Sequence, residues 1–271
     1  MIQQVLIGEF SLNKILTLSL IFYPFALILF EKFYFSSPLL TKRDIWVGVL
    51  FGLTKFSDWL LKAYIVLLLV NFVAPFEIFS FSNMPVPKTL NIILSFLFID
   101  FISYALHWLF HRIPFFWRIH RLHHSDEEVD TITTLFHHPL ERVADIFLNI
   151  IIFVLFDVPV PVILLYGFIS ALIAPLSHIK ILFPKKLNTV ISYFIVTQNF
   201  HRVHHSLDLK EGNSNFGIVF SWWDKLFRTY TYKTNEQLDK IKFGINFKET
   251  PSKNSIKEYL INPFIHRQEK Y

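Results

Sequence analysis

The 271-residue chain contains no cysteine. That absence removes disulfides and every metal site built on thiolate, so any bound metal must be held by nitrogen and oxygen. Charge is also scarce: Asp, Glu, Lys and Arg make up 17% of residues, against about 25% in soluble domains. The net charge of +5 is modest and scattered through short polar segments, which excludes a nucleic-acid-binding patch and reads instead as the positive-inside bias of a membrane protein. Glycine is rare, at seven residues. The sequence has no HExxH, so the zinc-protease helix with its adjacent general base is missing. It also lacks the Glu-x-x-His pair of carboxylate-bridged di-iron bundles.

What the chain has in abundance is apolar surface. Hydrophobic residues reach 53%, with 32 phenylalanines and a mean hydropathy of +0.43. Apolar runs fall at about 15–30, 46–54, 63–75, 89–110 and 146–177, several of them near the roughly 20 residues that a spanning helix needs. The expected fold is all-α: an integral, multi-pass membrane bundle of about four spans. The first run lacks a small-residue cleavage motif after Phe30 and reads as a retained anchor. Lys55, Asp58 and Lys62 share one helical face, which suggests an interfacial stretch leading into a span near 59–76, with a hairpin of two spans as the competing reading.

A turn-like segment, Ser80 to Pro87, precedes a helix from about 89 to 111. Residues 140–177 hold two apolar arms broken at Asp157-Val-Pro-Val-Pro161. At 1.5 Å per residue each arm reaches about 25 Å, short of a hydrocarbon core of about 30 Å. Such a hairpin returns the chain to the face it left. The segments therefore divide into membrane helices at 1–88, a central unit at 89–232 and a polar tail at 233–271.

Eleven of the twelve histidines lie between His107 and His205. Eight form three clusters: His107 and His111; His120, His123 and His124; and His201, His204 and His205. The last two are near-copies of HRxHH, 81 residues apart. Positions i, i+3 and i+4 share a helical face, so each box can offer two or three imidazoles to one side. Eight donors exceed what one ion of four to six coordination uses, and two metals follow. His138 and His178, at polar–apolar junctions, are candidates to complete a set of ten. His137 and His266 read as hydrogen-bonded structural side chains. An all-imidazole site suits iron, copper or zinc on ligand softness. The return of the hairpin brings the boxes to one membrane face, which the basic residues place in the cytoplasm.

The motifs around these boxes resemble the fatty acid hydroxylase/sterol desaturase superfamily. Asp100-Phe-Ile-Ser-Tyr104-Ala-Leu-His107 is similar to its DxxxYxxH, and His138-Pro-Leu-Glu141 to its HPxE. Asn215-Phe-Gly217 and Trp223-Asp-Lys-Leu-Phe-Arg-Thr-Tyr230 resemble its NxG and WDxLFGTY, with Arg228 where glycine is usual. The resemblance covers about 95–232. It implies a non-haem di-iron centre held by the histidines, with zinc as a substitute in purified material. It further implies O₂-dependent hydroxylation or desaturation of a lipid: a fatty acyl chain, sterol or isoprenoid. Asp100, Tyr104, Glu141, Asn215 and Asp224 would then support the ligands or their packing. No HPGG motif appears, so electrons would come from a separate donor of cytochrome b5, ferredoxin or flavoprotein type. The substrate is expected to enter between the helices containing 89–111 and 146–177. The rival readings are a membrane zinc hydrolase with Glu127 or Glu128 as base, and a non-catalytic metal-binding or transport protein. In the first rival's place, Glu127 and Glu128 also read as part of a solvated charge run with Asp126 and Asp130.

Overall fold

The computed structural model describes residues 22–245 and 256–264, with side chains at 56–71 excluded. Helix α1 occupies 22–34. It is followed by α2 (Lys42–Val73), α3 (Lys88–Arg112), α4 (Pro114–His124), α5 (Pro139–Leu155), α6 (Val160–His178), α7 (Lys185–Ile191) and α8 (Gln198–His204). Four short helices complete the order: α9 (Leu209–Gly212), α10 (Trp222–Leu226), α11 (Asn235–Leu238) and α12 (Ile256–Ile261). The described residues form no strand, only isolated bridges at Ile195–Phe220 and Ser206–Phe243. The all-α expectation holds. Its readings for 1–21, and for His266, lie outside the described residues.

Proline sets the helix starts. Pro114 and Pro139 open α4 and α5, where the missing N–H would have no partner in any case. Ile113, held extended at φ −92° and ψ 120° by the following proline, separates α3 from α4. Asp157, at φ +38°, makes the sharp turn between α5 and α6. The expected turn at Ser80 packs there: Phe81 N donates to Phe156 O at 3.1 Å and Ser82 N to Asp157 O at 3.0 Å.

Two described helices are long and apolar enough to cross a membrane, α3 with 25 residues and α6 with 19. At 1.5 Å per residue they run about 37 and 28 Å. The competing hairpin reading of 44–76 is corrected: α2 is one continuous helix of 32 residues. Nothing in its sequence breaks it, because Gly48 and Gly52 are isolated and no proline falls inside. α2 lies along α5, α3 against α4 and α6, and α6 against α8.

Asp126 and Asp130 are not part of a solvated charge run. Both are buried and grip Arg43 at the start of α2. Arg43 Nε donates to Asp126 Oδ1 at 3.0 Å and an Nη to Asp130 Oδ2 at 2.9 Å. The segment expected as a polar tail also contributes to the core. Tyr259 joins Val47, Leu50, Leu122 and Phe136, and the wholly buried Arg121 donates to Asn262 Oδ1 at 2.9 Å. These contacts fix α4, which contains the second histidine box, from both ends of the chain.

Arg228 occupies the left-handed region at φ +59°, the conformation that glycine adopts without steric cost. Its side chain is exposed, so little burial offsets the strain. Arg228→Gly is therefore expected to stabilise the fold by about 1 kcal/mol, read as a higher thermal midpoint in detergent.

Candidate metal centre

Nine imidazoles from four helices converge in two adjoining groups. The nitrogens of His107, His111, His120, His124 and His204 lie within 4.8 Å of one another, and so do those of His123, His178, His201 and His205. The boxes do not each serve one side, as their spacing suggested. In every box the i and i+4 members stay together, while in the second and third boxes the histidine at i+3 joins the other group. Successive residues turn by about 100°, so i+3 and i+4 fall on opposite flanks of i. The second box thus gives two rings to the first group and one to the second, and the third box does the reverse. The groups touch: ring centroids of His124 and His205 are 4.5 Å apart, and those of His204 and His201 5.2 Å.

The backbone and one carboxylate orient the rings. His107 Nδ1 lies 2.9 Å from Phe216 O, His204 Nδ1 2.8 Å from Ser214 O, and His178 Nδ1 2.8 Å from Ala174 O. His120 Nδ1 lies 2.7 Å from Glu141 Oε1. These oxygens only accept, so each Nδ1 bears the proton and each Nε2 presents a lone pair to the interior.

In the second group Nε2 of His178 is 3.2 Å from that of His123 and 3.1 Å from that of His201, which is 3.1 Å from that of His205. Two nitrogens bound at about 2.1 Å to one metal, at right angles, would be about 3.0 Å apart. Burial, and then the neighbouring imidazoles, hold His123, His124, His201 and His205 well below the usual histidine range. Burial does the same for His204. These five rings are therefore neutral donors at pH 7. His111 Nε2 and His204 Nε2 are buried without a hydrogen-bond partner, a cost of about 1–3 kcal/mol each that a cation would remove. The donor set fits two nitrogen-bound metal ions.

The remaining sequence candidates are placed as follows. Glu141 Oε1 serves His120 and also His137 Nδ1 at 3.0 Å. Burial raises its pKa, but the two imidazoles outweigh that and hold the carboxyl well below the usual range. Asp224 accepts from Phe216 N and Gly217 N, both at 2.8 Å, and from Thr229 Oγ1 at 2.6 Å. It thereby fixes the loop whose carbonyl holds His107. Tyr104 Oη reaches Thr229 at 2.9 Å. Asn215, at φ +60°, clamps Phe200 O at 2.8 Å and Thr231 O at 2.9 Å. Asp100 accepts from Tyr166, Trp223 and two backbone amides, tying α3 to α6 and to α10.

His138 differs from expectation. It caps α5, where its Nδ1 accepts from Leu140 N at 3.1 Å and its Nε2 faces Leu260 O at 3.2 Å, so both ring nitrogens are taken by backbone. His137, read as structural, is the closer neighbour: its ring stacks on His123 at 4.2 Å and shares Glu141 with His120. The i,i+4 spacing of His137 and Glu141 was the available signal. Glu127 and Glu128 are exposed, and neither is among the groups gathered with the imidazoles. Glu141→Gln, which keeps shape but removes the charge that orients His120, is expected to weaken metal affinity by about 10–100-fold. Competition with a chromophoric chelator measures it.

Comparison with known proteins agrees with this geometry. The family model for fatty acid hydroxylase matches residues 92–229. An ornithine lipid hydroxylase of Rhizobium tropici is 33% identical over 145 residues, 53% of this chain and 43% of that protein. An alkylglycerol monooxygenase of Caenorhabditis elegans is 29% identical over 135 residues, 49% of this chain and 25% of that protein. The chain thus spans less than half the length of either relative. No solved structure matches. The matched span contains all three histidine boxes, Asp100, Glu141 and Asp224, and the chain belongs to the fatty acid hydroxylase family.

Proposed function

We propose that the chain is a membrane-bound di-iron oxygenase that hydroxylates or desaturates a lipid with O₂ and two external electrons. The observation that supports this most is the pair of touching, buried, all-imidazole groups whose lone pairs face inward. His107, His111, His120, His124 and His204 would hold one ion, and His123, His178, His201 and His205 the other. Iron bound there would supply the reduction of O₂ and the oxidation of a C–H bond. Zinc can occupy the same donors, but hydrolysis would need a base beside them, and Glu127 and Glu128 are exposed to solvent.

The chain's own residues keep the site dry and rigid. Phe216, wholly buried, packs its ring against His107, His111 and His204 at centroid distances of 5.1–5.7 Å. Glu141 and the carbonyls of Phe216, Ser214 and Ala174 hold protons on Nδ1 and keep the ring planes fixed. Tyr166 hydrogen-bonds Asp100 at 2.9 Å and closes the cleft between α3 and α6 at that level. Asp100 is seven residues from His107, about 10 Å along the helix, so a lipid carbon would be delivered on the histidine side of this lock.

Electrons would arrive from a separate cytochrome b5-, ferredoxin- or flavoprotein-type donor on the cytoplasmic face. The test is lipid profiling of cells with and without the chain, in air and without oxygen. Lipids gaining 16 mass units, or losing two, only in air and only with the chain support the reading. Oxygen-independent lipid hydrolysis would replace it with the zinc alternative.

A further inference from the structure

One contiguous apolar face outside the metal centre is left open by its neighbours. α7 and the turn after it present Leu187, Val190, Tyr193 and Phe194 with 47%, 68%, 63% and 54% of their surface exposed, and α10 presents Leu226 with 67%. These pieces form one surface. Lys225 Nζ donates to Tyr193 O at 2.9 Å and lies 4.0 Å over the Tyr193 ring. Ser221 N donates to Phe194 O at 3.1 Å. An exposed apolar patch of this size on a chain poor in charge calls for a covering partner.

Position and charge identify the partner. Phe227, next to Leu226, packs its ring on α3 at 5.8 Å from Phe101 and 5.5 Å from Tyr104. Phe101 lies 11 residues inside the end of α3 at Arg112, so the patch adjoins a candidate span. A groove of about 460 Å³, lined by Phe98, Phe101, Trp223, Phe227 and Met84 among others, prolongs it along α3. The rim has Lys186, Lys225 and Arg228, while Lys185 faces the exposed Glu236 of α11. No acidic residue falls between Lys180 and Leu207, and Asp224 is wholly buried. Apolar and aromatic side chains rimmed by lysines are suited to the boundary between acyl chains and anionic headgroups.

We propose that this face is seated in the bilayer interface and contacts anionic lipid. The flanks of the third histidine box would then rest on the membrane itself, independently of which lipid is oxidised. The inference depends on α3 crossing the membrane, not on any activity, and its test reads position alone.

The absence of native cysteine makes each introduced thiol unique. Val190→Cys, Leu226→Cys and, as an exposed polar control, Lys210→Cys would be labelled in the full chain with an environment-sensitive fluorophore. The chain would sit in vesicles of phosphatidylcholine and phosphatidylglycerol. Labels at 190 and 226 are expected to lose most of their emission to quenchers on shallow acyl carbons and none to aqueous iodide, with the reverse at 210. Labels open to iodide and untouched by lipid quenchers would overturn the proposal. Shielding from both quenchers would also overturn it, since that marks a protein partner or a second copy. Where either variant fails to assemble, Leu187→Cys and Tyr193→Cys report on the same face.

Discussion

His204→Ala and His123→Ala are each expected to abolish lipid oxidation and to lower the metal content of the purified chain. The two substitutions strike different groups. His204 belongs to the five-membered group and His123 to the four-membered one, so each variant should first lose the ion of its own group. His204 is wholly buried, with Nδ1 fixed on Ser214 O at 2.8 Å and Nε2 without a hydrogen-bond partner among the described residues. For His123 the stacked His137 is the nearest imidazole, yet its Nδ1 is engaged by Glu141. Elemental analysis with protein quantified by amino-acid analysis measures the loss. Two ions retained in either variant would contradict the assignment.

Asp100→Ala is expected to destabilise the chain by at least about 3 kcal/mol, since a buried donor left without a partner costs about 1–3 kcal/mol. Four donors converge on this carboxylate: Trp223 Nε1 at 2.8 Å, Tyr166 Oη at 2.9 Å, and Val219 N and Phe220 N at 3.2 Å. Asp100 has no accessible surface, so water replaces it poorly. The loss should appear as a thermal midpoint lowered by many degrees and as faster inactivation in detergent. Asp100→Asn keeps part of the acceptor capacity and should fall between the two. A melting curve for Asp100→Ala matching the parent would show that the α3–α6–α10 junction does not depend on this group.

Much of this arrangement could be read from spacing. Imidazoles at i, i+3 and i+4 in a chain without thiols pointed to a shared nitrogen site, and the Asp157–Pro161 break placed His178 beside the second box. Other features depend on rotation and register, which spacing alone does not encode. Which side of a helix faces which neighbour decides that His123 joins the group of His201 and not that of His120. His138 and His178 both sit at polar–apolar junctions, yet they differ in backbone context. His138 precedes Pro139 and is consumed as a helix cap, whereas His178 ends α6 and ties Nδ1 back to Ala174, freeing Nε2. The burial of Asp126 and Asp130 follows from Arg43, more than 80 residues earlier in the chain. No local pattern reveals such a partner.

X-ray absorption at the iron edge, on chain loaded anaerobically with ferrous iron, tests the central claim most directly. Two ions per chain are predicted, each with a nitrogen-dominated shell at about 2.1 Å and the outer-shell scattering of several imidazole rings. A shell dominated by carboxylate oxygen, without imidazole scattering, would contradict the account.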